Sequence, residues 1–170
     1  MRYADYKKYD MLNGQGIRNS LFVSGCTHKC KGCFNENAQN FNYGKDFMYH
    51  DLDMILTDLD DDKVQGLSLL GGEPFQSRQL YTVVRAIRDM FGNSKDVWAW
   101  TGYTFEELLK LGGWRVNLLK LLDVLIDGKF IEEQKDLSLQ FRGSRNQRVI
   151  DVQKSLEQGE VVLWQDTIHA

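Results

Sequence analysis

The chain has 170 residues, 42% of them hydrophobic, with a formal net charge of -3 and a pI near 5.6. That length suits one well-buried domain over 1–170, with a core at about 15–150 and a C-terminal extension at 151–170. The acidic balance gives no electrostatic footprint for nucleic acid, and no stretch approaches the roughly 18 apolar residues of a membrane span. With a polar N-terminus, Met1 to Lys8, and no leader-like apolar segment, the sequence reads as a soluble cytoplasmic protein with neither membrane nor nucleic acid as partner.

In chain order, Asn13-Gly14-Gln15-Gly16-Ile17-Arg18 is a turn leading into the apolar run Ser20 to Ser24, a buried-strand candidate. It is no phosphate-binding loop, because no Gly-Lys-Ser/Thr follows the glycines. Cys26 to Cys33 follows the strand, then a short helix or turn at Phe34 to Gln39 and a polar loop at Asn40 to Gly44. Asp51 to Leu59 repeats apolar residues at helical spacing, with Asp51 as the candidate N-cap. Gly66 to Leu70 is a second strand, ending in Gly71-Gly72-Glu73-Pro74, which contains the only proline of the chain. Gln79 to Met90 is an amphipathic helix with Leu80, Val83, Val84, Ile87 and Phe91 on one face.

A third strand, Asp96 to Gly102, precedes a helix that opens at Thr104 with the capping-box partner Glu107. A helical turn at Leu118 to Asp123 then leads to a fourth strand at Val124 to Phe130. Phe141 to Arg148 is a basic loop, a solvated segment or a grip on an anionic substrate or partner, leading to a last strand at Val149 to Val152. The tail carries signals for one helix and a short strand. Alternating strands and helices predict an α/β fold of parallel strands joined by right-handed crossovers. In such folds ligands gather at the carboxyl ends of the strands. The cysteines, Gly71-Gly72-Glu73, Thr101-Gly102 and Asp127-Gly128-Lys129 each follow a strand candidate, so four motifs are expected on one edge.

Cys26, Cys30 and Cys33 are all the cysteines of the chain, and they fall within eight positions. A disulfide framework would spread its cysteines and leave none over. The spacing lets one loop place a thiolate on three irons of a 4Fe-4S cubane, with the fourth iron open. A structural zinc site would need a fourth ligand, and His28, His50 and His169 show no finger spacing. An open iron can take a chelating amine and carboxylate, as S-adenosyl-L-methionine carries. Gly71 and Gly72 would let the backbone approach such a ligand, and Glu73 would offer its carboxylate to the ammonium. Asp127 could accept from ribose hydroxyls and Lys129 could meet the carboxylate, while Trp98, Trp100 and Tyr103 alternate as core and rim.

The cysteine motif, followed 38 positions after Cys33 by Gly71-Gly72-Glu73-Pro74, resembles the radical S-adenosylmethionine superfamily. Asn13 to Gly16, Ser24 to Asn35, Trp98 to Tyr103, Asp127 to Phe130 and Gly143 to Arg148 resemble, within it, the activating proteins of anaerobic ribonucleoside-triphosphate reductases. The likeness runs from residue 5 to about residue 150. Gly32 stands where the superfamily has an aromatic residue, with Phe34 on the other side of Cys33, as in that activating family. Gln15 replaces the family's proline.

The resemblance implies an incomplete β/α barrel of the radical S-adenosylmethionine type, with the cluster on Cys26, Cys30 and Cys33. It implies a cofactor site at Gly32, Cys33, Phe34, Gly71, Gly72, Glu73, Thr101, Asp127 and Lys129. Asn13, Arg18, Arg145 and Asn146 are the candidate contacts to partner or substrate. The implied reaction cleaves S-adenosylmethionine reductively to a 5′-deoxyadenosyl radical, which takes a hydrogen from a glycine in the large subunit of the reductase. A flavodoxin-like or other reductant would supply the electron. The competing readings are a small-molecule radical enzyme resembling 7-carboxy-7-deazaguanine synthase, and a noncatalytic metal-binding module.

Overall fold

The computed structural model describes residues 1–166. Its elements in chain order are β1 (Arg2–Asp10), β2 (Arg18–Val23), β3 (Lys45–Asp46), α1 (Tyr49–Leu59), β4 (Gly66–Gly71), α2 (Gln79–Phe91) and β5 (Asp96–Trp100). They continue with α3 (Phe105–Leu111), α4 (Gly113–Leu119), β6 (Val124–Asp127), β7 (Arg148–Asp151) and α5 (Val152–Gln158). Seven strands form one sheet in the order β3-β1-β2-β4-β5-β6-β7. The four inner strands β2, β4, β5 and β6 run parallel and lie in sequence order. The expected parallel core is therefore present, but both flanks depart from it.

On one flank β1 pairs antiparallel with β2 and β3, and on the other β7 pairs antiparallel with β6. The strand expected at Val149 to Val152 thus turns back along β6 instead of continuing the parallel series. It can, because the segment between them, residues 128–147, contains only a short 3-10 turn and no crossover helix. β1 escaped the sequence reading altogether. Its charged residues hide an outer strand whose Tyr3 alone is buried; the two-residue β3 covers it only at Arg2 and Tyr3, and uncovered strand edges are commonly guarded by charge.

Alternation along the inner strands divides the sheet into two faces. Leu21, Val23, Leu67, Leu69, Val97, Ala99 and Leu125 pack against Ile55 and Leu59 of α1, Leu80, Val83, Val84 and Ile87 of α2, and Phe105, Leu108, Leu118 and Leu119 of α3 and α4. Their opposite neighbours face a second layer, in which Trp98, Val124 and Ile126 pack with Trp100, Phe141 and Trp164. The tryptophan pair is thus packing, as the alternation suggests. Trp164 brings the tail onto this face, edge-on to Trp98 at 5.1 Å.

Two helix boundaries are corrected. Asp51 is not the N-cap of α1: Met48 holds that place, and Asp51 sits one turn inside, accepting from the Met48 N–H at 2.7 Å and the Tyr3 hydroxyl at 3.0 Å. The helical turn expected at Leu118 to Asp123 belongs to α4, which starts at Gly113 and ends at Leu119. Gly112 and Gly113 both have positive φ (64° and 60°), which breaks the helix from α3. The capping box at Thr104 and Glu107 forms as expected.

Beyond β6, Arg148 joins three elements: it pairs with Asp127 at the end of β6 and with Glu106 in the first turn of α3. Hydrogen bonding from Arg148 pulls the Glu106 carboxyl down to about 2. Its folded value lies below its ordinary value of 4.5, so the contribution is complete at neutral pH and fades as pH falls toward 2. Glu106 is more than half exposed, and screening keeps the pair within about 1 kcal/mol. Glu106→Gln should therefore lower the urea midpoint slightly at pH 7, with the deficit closing toward pH 2. A deficit that does not change with pH would separate Glu106 from this pair.

Candidate iron-sulfur site

The cysteine loop leaves β2 at Val23 and is fixed at its base by main-chain bonds. Gly25 N–H donates to the Ala38 carbonyl at 2.7 Å and Cys26 N–H to the Gln39 carbonyl at 3.0 Å. The neighbouring loop after β4 is bound to it as well: Gly72 N–H donates to the Val23 carbonyl at 2.7 Å, and Glu73 N–H to the Gly25 carbonyl at 2.9 Å. This contact explains the glycine pair. A Cβ on Gly71 would lie 2.5 Å from the Val23 carbonyl oxygen, and one on Gly72 would lie 2.5 Å from that of Gly25. The close approach is between two loops of the protein, whereas the sequence suggested an approach to a ligand.

Cys26, Cys30 and Cys33 are free, partly exposed, and line one cavity of about 480 Å³ at the carboxyl ends of the parallel strands. Burial pushes the Cys26 thiol up, an effect opposed by the His28 N–H, 3.4 Å from its sulfur. Burial raises Cys30 too, against the opposing charge of Lys129. Asn13, Phe34, Gly71, Gly72, Glu73 and Thr101 line the same cavity. The fold thus brings together nine of the residues singled out from sequence, drawn from four separate loops. Gly102, Trp100, Gly128, Phe130 and Phe141 join them. Gly102 and Gly128 belong to the strand-end motifs Thr101-Gly102 and Asp127-Gly128-Lys129 expected on this edge, while Phe141 comes from a distant loop that no local pattern connects to the site.

Other residues lie elsewhere. Arg18 is fully buried at the amino end of β2, where its Nε donates to Ser68 Oγ at 2.8 Å, its guanidinium pairs with Asp96, and it lies 5.1 Å over the Trp98 ring. Interior burial leaves it nothing to offer a partner. Asp127 accepts from the Phe105 N–H at 2.8 Å and from Arg148, and belongs to a separate depression with Lys129 and Asn146. Asn146 Nδ2 donates to the Lys129 carbonyl at 2.8 Å, and Arg145 pairs with Asp136 at 3.1 Å. Gly32 has φ +70°, with Glu132 2.9 Å from where its Cβ would be.

Glu73 is buried with every side-chain oxygen engaged. Oε1 accepts from the Phe75 N–H at 2.9 Å and the Thr101 hydroxyl at 2.8 Å, and Oε2 accepts from the Gly102 N–H at 2.8 Å. His28 Nε2 lies 2.9 Å from Oε2. His28 is thereby occupied as a hydrogen-bond partner. His50 is 80% exposed beside Asp51 on α1, and His169 lies outside the described residues. Among the described residues, no three His, Cys, Asp or Glu side chains converge on a point that one metal ion could fill. Three thiols facing one cavity without a fourth ligand match the donor set of a cubane, whose irons are spaced apart, better than that of a structural zinc.

The fold and donor set define the class, a 4Fe-4S single cluster domain, and the family of that description matches residues 12–150. Three relatives carry one further description, anaerobic ribonucleoside-triphosphate reductase-activating protein. That of Haemophilus influenzae is 44% identical over 153 residues, covering 86% of this chain and 96% of its own. The protein of Escherichia coli K12 is 39% identical (88% and 97% covered), and that of enterobacteria phage T4 is 38% identical (88% and 93% covered). The chain belongs to the family of anaerobic ribonucleoside-triphosphate reductase-activating proteins.

Proposed function

We propose that this chain is the radical activase of an anaerobic ribonucleoside-triphosphate reductase, using S-adenosyl-L-methionine at a 4Fe-4S cluster held by Cys26, Cys30 and Cys33. The observation that carries the reading is that the three thiols share one cavity with Gly71, Gly72 and Thr101 at the carboxyl ends of the parallel strands. When bound and reduced, the cluster supplies the electron that cleaves the cofactor to its 5′-deoxyadenosyl radical. The protein binds, orients and shields. Cys26, Cys30 and Cys33 would hold the cluster by three thiolates from one loop, and an iron left without a protein ligand would be free to take the cofactor's amine and carboxylate. Trp100, Phe130 and Phe141 supply an apolar wall that limits water around a reactive carbon.

Asp127 is assigned a holding role, toward Phe105 and Arg148, in place of a ribose contact. Lys129 is exposed next to Asp127 and is kept as a candidate for the cofactor's carboxylate. Sequential parallel strands with their helices on one face support the reading of an incomplete barrel of the radical S-adenosylmethionine type. The exposed Leu12 and Leu137 stand at the cavity, a side on which a glycine loop of the reductase's large subunit could enter. A one-electron donor of the flavodoxin kind completes the scheme. No helix among the described residues is long and apolar enough to cross a membrane.

Electron paramagnetic resonance of the anaerobically reconstituted, reduced protein tests this directly. A cubane signal that changes shape on adding S-adenosylmethionine is expected, followed by a glycyl-radical signal on the added reductase. A signal indifferent to the cofactor overturns the proposal. So does cofactor cleavage that a pterin stimulates and the reductase does not, which would favour a small-molecule enzyme.

A further inference from the structure

His28 stands inside the cysteine loop, two residues from Cys26 and two from Cys30, yet its side chain is only 8% exposed. Three features hold the ring. Its Nε2 lies 2.9 Å from Glu73 Oε2. The ring meets Tyr103 edge-on, centroids 4.6 Å apart. It also fills the space above Gly102, where a Cβ would lie 2.4 Å from the imidazole. Glu73 accepts from Thr101 and Gly102 at the end of β5 through the same carboxylate. One imidazole thus connects the cysteine loop to the ends of β4 and β5.

A second link runs beside the first. Gln76 donates to Thr27 Oγ1 at 2.7 Å and to the Tyr103 hydroxyl at 3.0 Å, and accepts from the Thr27 N–H at 3.1 Å. Thr27 and His28 therefore bind the same two neighbouring loops. The short backbone between Cys26 and Cys30 is clamped at its middle, and His28, Glu73 and Gly102 form part of the wall of the sulfurs' own cavity. The His28 N–H also faces the Cys26 sulfur, so movement of this residue would shift the first cysteine directly. A buried polar bridge of this kind fixes geometry more than it adds stability.

We propose that His28 is a positioning residue of the activation reaction: through Glu73 it sets the cysteine loop against the ends of β4 and β5, and so where the cluster's open iron meets the cofactor. The proposal rests on the function given above for the cysteines. It also gives Glu73 a role as the anchor of that bridge, since all its hydrogen-bonding positions are taken within the protein.

Two variants test it, His28→Ala and His28→Gln, the latter keeping an N–H group able to reach Glu73. The first measurement needs no cluster: the alkylation rates of Cys26, Cys30 and Cys33 by iodoacetamide in the apoprotein, resolved by peptide mapping. In His28→Ala the Cys26 and Cys30 rates should rise about tenfold, as losing one hydrogen bond to a charged group from a locally closed loop allows. His28→Gln should restore them. The second measurement is the resonance spectrum of the reduced, reconstituted protein with S-adenosylmethionine. His28→Ala should keep a cubane but show an altered cofactor-bound line shape, with kcat for glycyl-radical formation falling more than the KM for cofactor rises, and His28→Gln should recover both.

Wild-type alkylation rates and a wild-type cofactor-bound spectrum in His28→Ala would overturn the proposal. If His28→Ala does not fold, His28→Asn, too short to reach Glu73, takes its place with the same expectation. A wild-type spectrum that ignores the cofactor would defeat the proposed function instead, while the alkylation contrast would still judge the clamp.

Discussion

Replacing any one of Cys26, Cys30 or Cys33 by alanine is expected to reduce bound iron and sulfide to background and abolish glycyl-radical formation. The chain has no other cysteine to substitute for the one removed. The nearest imidazole, His28, is held against Glu73 and Tyr103, so no spare ligand can swing in. A cubane held by two thiolates has two irons open to solvent and dissociates readily. The apoproteins should nevertheless fold. The three side chains are partly exposed and unbonded to one another, which limits each substitution to about 1 kcal/mol. Iron and sulfide analysis beside a denaturant titration separates the two effects. A brown, active protein from any one of the three variants would sink the assignment.

Glu73→Ala should be among the most damaging substitutions outside the hydrophobic core. It removes a fully buried acceptor from four donors: the Phe75 and Gly102 amides, the Thr101 hydroxyl and His28. An unsatisfied buried donor costs about 1–3 kcal/mol, and partial relaxation brings the total to about 3–5 kcal/mol, as for removing one side of a buried polar pair. That is a large share of the roughly 5–15 kcal/mol that holds a domain of this kind folded. Urea unfolding of the apoprotein reads it out. Glu73→Gln keeps one oxygen to accept from the Phe75 N–H and the Thr101 hydroxyl but turns an amide toward the Gly102 N–H, so an intermediate loss of about 1–3 kcal/mol follows. Were Glu73 instead a free ligand for the cofactor's ammonium, Glu73→Ala would weaken cofactor binding and leave the apoprotein's stability unchanged.

The cysteine motif was legible because its chemistry is local. Three sulfurs within eight positions need only one loop to meet a cluster, whatever the rest of the chain does. The parallel core was legible for a related reason: Leu21, Leu67, Leu69, Val97 and Leu125 sit in short apolar runs bounded by glycines and separated by helical periodicity. The convergence of four strand ends then followed from a rule of topology, and Gly71, Gly72, Glu73 and Thr101 do meet the cysteines at one cavity.

What was not legible depends on partners far apart in sequence. Arg18, Asp127 and Arg145 each carry a charge after or before a turn, and a charge there looks alike whether it faces a ligand, solvent or another side chain. Arg18 lies against Asp96, and Asp127 against Arg148, pairings 78 and 21 positions apart. The charged strand β1 was hidden because a charge-rich outer strand lacks the continuous apolar pattern of buried ones, and the antiparallel return of β7 because no local pattern sets a strand's direction.

The sequence by itself determined the metal chemistry, the parallel β/α core and the edge on which the site lies, since each rests on spacing or periodicity within a few tens of residues. Only the tertiary structure decided which polar groups face the cavity and which are consumed in holding it. Glu73 and His28 are the clearest case. Nothing in a linear chain shows that a carboxylate and an imidazole 45 positions apart satisfy one another, and a buried polar group is defined by its partner, which folding alone supplies.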